Sequence, residues 1–184
     1  MSVFTSKREK KFWLLTGLVV IAIYSTLGMA PHFAVILRNR GLLTPLFFLG
    51  LILLLLAIII HGWKSRAGKI EIAVWIGIAG VYLLTLLRMA IAEERGHLFE
   101  YSVVALFILE ALRERKKNGL KIPVPPLLAI VITTMIGTID ECIQVFIPIR
   151  VFDPIDIFFN FFAGFLAVSA STALSWARSK IKKP

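Results

Sequence analysis

Six predominantly apolar stretches, each close to the length that carries a helix across a lipid bilayer, dominate this chain. A spanning helix needs ~20 mostly apolar residues, with a range of ~17–25. The candidates are Phe12–Ala30, Leu42–Ile60, Ile72–Leu87, His97–Leu112, Leu127–Ile147 and Ile155–Trp176. The third and fourth are short, and the fourth is the most polar. Pro45 lies in the first turn of the second, where a missing N–H costs little. Pro123, Pro125 and Pro126 break the chain before the fifth. Hydrophobic types make up 58% of the 184 residues and charged types 17%, against ~45–50% and ~25% in soluble domains. That balance excludes a disordered chain and argues against a water-soluble globule. The expected fold is all-α: a polytopic membrane helix bundle of about six transmembrane helices, forming a single integral membrane domain over residues 1–184.

Orientation follows from the basic residues. With a cytoplasmic N-terminus and six crossings, 16 of the 21 Lys and Arg, including every Lys, fall on the cytoplasmic side. They lie in the N-terminal segment, in HGWKSRAGK, in RERKKNGLK and in the tail. Seven of the 11 acids (Glu93, Glu94, Glu100, Asp140, Glu141, Asp153 and Asp156) fall in or near the outer half. This is the positive-inside pattern, with both termini cytoplasmic. The net charge of +10 is therefore read as topology. No polar face interleaves these cations with aromatic residues, so a nucleic-acid partner is not expected. SKREKK followed by Phe12–Ala30 has the order of parts of a signal peptide, but the 19-residue run exceeds the ~7–15-residue signal core. A retained first membrane helix is expected. The single cysteine, Cys142, excludes an internal disulfide and is expected to be a small buried apolar residue.

Ionisable residues inside membrane helices are expensive and mark candidate sites. Here they converge. His97, Glu100 and Tyr101 have the i, i+3, i+4 spacing of one helix face at the start of the fourth span. Asp140, Glu141 and Gln144 share a face near the end of the fifth. Arg150 follows in the outer loop, and Asp153, Asp156 and Asn160 form a stripe entering the sixth. With alternating crossings, all three faces meet at the outer membrane boundary and about two turns below it. Each residue also has a structural reading. Asp153 and Asp156 can cap a helix, and Asn160 and Gln144 can bond neighbouring helices. Glu110 and Glu114 read as helix ion pairs with nearby Arg and Lys. Ala163, Ala167 and Ser171, with Gly164 beside them, form a small-residue packing stripe. Trp13, Trp63, Trp75 and Trp176 mostly sit near helix ends as interface anchors.

GHLFEY, followed by GTIDECIQVFIPIRVFDPIDIFFNFFAG, resembles the VanZ family of bacterial membrane proteins. The matching residues are His97, Glu100, Tyr101, Asp140, Glu141, Gln144, Arg150, Asp153, Asp156, Asn160 and Gly164. The early segment IYSTLGMAP, with Ser25 and Pro31, is similar to the family's first helix. The core of the resemblance covers about residues 88–167. Ile149 stands where the family often has glycine after the proline. The resemblance implies a multi-spanning protein of the bacterial plasma membrane; the family takes its name from a member associated with resistance to the glycopeptide antibiotic teicoplanin.

Two functions are expected from these residues together with what the resemblance implies. In the first, the outer pocket binds a lipid head group or a lipid-linked envelope component and affects glycopeptide susceptibility, without covalent catalysis. Its ligand-binding residues are Tyr101, Asp140, Gln144, Arg150, Asp153, Asp156 and Asn160. In the second, the protein is a membrane-embedded hydrolase or transferase, with His97, Glu100 and Glu141 as catalytic candidates and Arg150 holding an anionic group. No cofactor or metal set is assigned. A hard cation on Asp140, Glu141 and Asp156 is one variant of the enzyme reading, and one His with no nearby Cys argues against zinc. An ion-coupled transporter is disfavoured, because no relay of ionisable residues joins the outer cluster to Glu110.

Overall fold

The computed structural model describes residues 3–50, 52, 56, 68–88, 92–148 and 152–181, and among these every regular element is an α-helix. In chain order they are α1 (Lys7–Thr26), α2 (Ala30–Asn39), α3 (Leu43–Gly50), α4 (Lys69–Arg88), α5 (Ala92–Lys117), α6 (Pro125–Gln144) and α7 (Pro154–Ile181). The all-α expectation is met. By length and composition three helices, α4, α6 and α7, can cross a bilayer, or four segments if the α2–α3 pair, bent by 106°, acts as one. Helices α1 and α5 carry too many charged residues for that: KREKK in α1, and AEER, Glu100, Glu110 and RERKK in α5.

The helices differ from the expected spans mostly at their ends, and capping chemistry explains how. Helix α1 starts five residues before Phe12 because Ser6 caps it. The Ser6 Oγ accepts from the Glu9 N–H at 3.0 Å, and the Glu9 carboxylate accepts in turn from the Thr5 N–H at 2.7 Å. This is a shifted version of the reciprocal capping box. Helix α6 begins on Pro125 and Pro126 themselves. A first-turn proline loses no hydrogen bond there, so the expected breaker is instead the start. Residues 31–39, between the first two expected spans, are helical, as is Ala30 at the end of the first. That helix ends in a Schellman turn: Gly41 adopts φ +66°, its N–H reaches the Arg38 carbonyl, and the Leu42 N–H reaches Leu37. Helix α5 ends the same way on Gly119, φ +92°, with the Leu120 N–H on the Arg115 carbonyl. Both sites need a residue that tolerates the left-handed region.

The chain divides into two compact units, Met1–Gly28 with Met89–Thr172, and Met29–Arg88 with Ala173–Pro184. In the first, α5 is the central element. Leu98, Tyr101, Val104, Ala105, Ile108, Leu109 and Leu112 are all buried, with the three-and-four spacing of one face. Val104, Ala105, Ile108, Leu109 and Leu112 pack with Ile23 of α1, Ala129 of α6, and Ala167 and Val168 of α7. Small residues let α7 approach closely. Ala163 is fully buried and its carbonyl accepts from the Ser102 hydroxyl at 3.3 Å. Trp13 packs against this core rather than standing free as an anchor.

One end of the unit ties the N-terminal segment to RERKKNGLK. Arg115 reaches the Glu9 carboxylate at 3.4 Å and the Val3 carbonyl at 3.0 Å, and Asn118 donates to the Thr5 hydroxyl at 3.0 Å. Arg113 pairs with Glu110 at 2.8 Å and donates to Ser171. The two basic segments therefore share an end. The other end carries the polar cluster.

Cys142 corrects an expectation: it is exposed. The buried stripe of α6 is Ala129, Thr133, Gly137, Asp140, Glu141 and Gln144, and Cys142, about 100° around the helix from Glu141, falls off that stripe. In the second unit, the Arg178 guanidinium of α7 donates to the Glu71 carboxylate of α4 at 2.7 Å.

Candidate functional site

Three helix ends position the polar cluster. Helix α5 begins at Ala92, so His97 and Tyr101 lie in its second and third turns rather than its first. Both are buried, and their rings stack at 5.9 Å between centroids. Glu100 corrects the expected common face, because its residue is exposed. A third-residue neighbour stands about 60° from His97 around the axis, enough to leave the packed face.

Helix α6 supplies Asp140, Glu141 and Gln144 from its last turn. Asp140 accepts from the Tyr101 hydroxyl at 2.7 Å. Glu141 Oε1 accepts from the Gln144 side chain at 2.7 Å, and its Oε2 from the Asp153 backbone N–H at 3.3 Å. Gln144 thus serves its own helix rather than a neighbour. Beyond Gln144 the chain tightens into three-residue turns, with the Ile147 N–H on the Gln144 carbonyl, and Pro148 follows.

Helix α7 starts on Pro154 behind an Asp153 cap, whose Oδ1 accepts from the Ile155 N–H at 2.8 Å. Asp153 therefore enters the site through its backbone, while its side chain does a capping task. Asp156 reaches within 3.8 Å of His97 Nε2. One turn deeper, Asn160 is fully buried and donates to the Gly137 carbonyl of α6 at 3.4 Å. Arg150 lies outside the described residues.

The convergence is tighter than helical spacing alone could indicate. One ligand atom from each of His97, Glu141 and Asp156 lies within 4.8 Å of the others, a set able to hold a metal ion. Histidine, not Asp140, completes the two acids, because Asp140 turns to Tyr101. Two contributors escaped the sequence reading. Gly137 gives α7 room: a Cβ there would lie 2.6 Å from the Asn160 Cβ. Tyr24 of α1 donates its hydroxyl to the Ile136 carbonyl at 2.7 Å. The signal for Gly137 was available, four residues before Glu141 on the same stripe; nothing local marked Tyr24.

This unit buries polar side chains at one end while it exposes large apolar ones elsewhere. His97, Tyr101, Asp140, Glu141, Gln144 and Asn160 are all at most 4% exposed, while Leu18 and Ile21 of α1 are 65% and 70% exposed. Compared with protein-family models, with curated proteins and with solved structures, the chain has no match.

Proposed function

We propose that this chain is a VanZ-like multi-pass protein of the bacterial cell envelope, crossing the membrane six times with both termini cytoplasmic. Its polar cluster binds, at the outer leaflet, the polar head group of a membrane lipid or of a lipid-linked envelope component, and through that ligand modulates susceptibility to glycopeptides. The observation that supports this reading is the burial of six polar side chains at one end of a helical unit that turns apolar residues outward. Buried polar groups in such surroundings carry a desolvation cost that an idle site would not repay. The Asp156 side chain, 17% exposed, leaves the cluster an approach.

The test is binding by the reconstituted protein of lipid-linked envelope precursor and of teicoplanin. Glu141→Gln and Arg150→Ala should weaken it. Unchanged binding in both variants sinks the proposal.

A second reading rests on the approach of the His97 imidazole to Asp156. An imidazole beside a carboxylate is the arrangement of an oriented general base, which suits hydrolysis of, or transfer from, a lipid-linked substrate. His97→Gln and Glu141→Asp would then abolish turnover while leaving expression intact, and retained activity in both rules it out.

A further inference from the structure

We infer that His97, Glu141 and Asp156 hold a divalent first-row transition-metal ion, best matched by Mn²⁺, with one coordination side left open. Two ligand atoms that each sit ~2.0–2.1 Å from one ion are at most about 4.2 Å apart. The His97 Nε2 to Asp156 Oδ2 separation, 3.8 Å, is too long for a hydrogen bond and close to the spacing of two ligands of one ion. With Glu141 the set lies within 4.8 Å, so side-chain movements of about an ångström bring the three atoms to the ~3.0–3.4 Å separations of ligands at ~2.1 Å from one ion.

A divalent cation offsets the repulsion between two carboxylates this close, one of them fully buried. Their neighbours already orient them. Gln144 and the Asp153 amide hold both oxygens of Glu141, and the ring of His97 stacks on Tyr101. Such outer contacts are what fix metal ligands in place.

A separate observation lies one turn deeper. Asn160 Oδ1 is buried and accepts no hydrogen bond among the described residues. Asn160 follows Asp156 by four residues, and its amide sits on Gly137, four residues before Glu141. Both partners of that contact thus lie directly below two of the ligands. A buried amide oxygen without a donor calls for an ordered water, and the hydration of an ion above it supplies one.

The donor types choose the ion. Mg²⁺ demands octahedral oxygen and Ca²⁺ takes six to eight oxygens, whereas imidazole with carboxylates suits first-row transition ions. This assignment goes beyond the head-group reading and stands without it.

Tag-free, full-length protein in detergent, stripped with chelator, should bind about one Mn²⁺ per chain in an EPR titration. Pulsed EPR should show nitrogen coupling from a single imidazole, and Zn²⁺ should displace the signal. His97→Gln and Asp156→Asn should each weaken binding by at least about tenfold. Absence of saturable Mn²⁺ and Zn²⁺ binding overturns the proposal. Absence of the nitrogen coupling, which needs no variant to fold, overturns it equally, as does wild-type affinity in His97→Gln. Lost cation binding with head-group binding retained sinks only the cation, and the reverse sinks only the head-group reading.

Discussion

Tyr101 and Asp140, 39 residues apart, are joined by a buried 2.7 Å hydrogen bond that ties α5 to α6 directly beside the candidate ligands. Removing the hydroxyl takes a donor from a buried carboxyl group. Tyr101→Phe should therefore destabilise the protein by about 1–3 kcal/mol. A double-mutant cycle with Asp140→Asn, followed by thermal unfolding in detergent, should show strong coupling between the two positions. Additive losses would mean that the bond contributes nothing of its own.

Gly137 and Gly164 should respond differently to alanine. At Gly137 the new methyl would collide with the Asn160 Cβ, on a part of that side chain unable to swing away. Overpacking of this kind costs about 1–3 kcal/mol. At Gly164 the nearest atom is the Thr133 methyl at 3.4 Å, an ordinary contact. Gly164→Ala should thus stay within about 1 kcal/mol of wild type, helped by the better helix propensity of alanine. Equal melting temperatures for the two variants would contradict the described approach of α6 and α7.

Glu9 makes stability depend on acid pH. Burial pushes its carboxyl up, but hydrogen bonds from the Thr5 hydroxyl and amide, with Arg115 nearby, outweigh burial and hold it below the ordinary 4.5. A carboxyl lowered in the folded state adds stability that is fully present above its unfolded value and disappears as the pH falls through the folded one. Glu9→Gln should therefore be less stable than wild type at neutral pH. The gap should close as the pH drops below ~4. A gap that is constant from pH 7 to pH 3 would show that the charge of Glu9 is irrelevant.

Single cysteines at Leu120→Cys and Phe152→Cys, in a Cys142→Ser background, should label from opposite sides of the membrane. The two residues are exposed and flank α6, whose 20 residues span about 30 Å. Impermeant maleimide should reach the position after α6 in intact cells and the position before it only after lysis. Labelling of both from one side would remove the crossing on which the six-span arrangement and the outer pocket depend.

The amino-acid sequence by itself determined the helical class, the apolar lengths of α4, α6 and α7, and the spacing that brings Asp140, Glu141 and Gln144 onto one stripe. Those properties are local: they follow from 1.5 Å and 100° per residue and from runs of side chains that avoid water. Tertiary packing decided the rest. It set how far each helix rotates about its own axis, which turned Glu100 and Cys142 outward and His97 inward. It matched His97 with Asp156, 59 positions away along the chain, and sent Asp140 to Tyr101 instead. It also gave Gly137 its consequence, because only the close approach of α7 makes a missing side chain matter. Rotation and approach are set by the fit of whole helix surfaces against one another, and no short window of residues contains that fit.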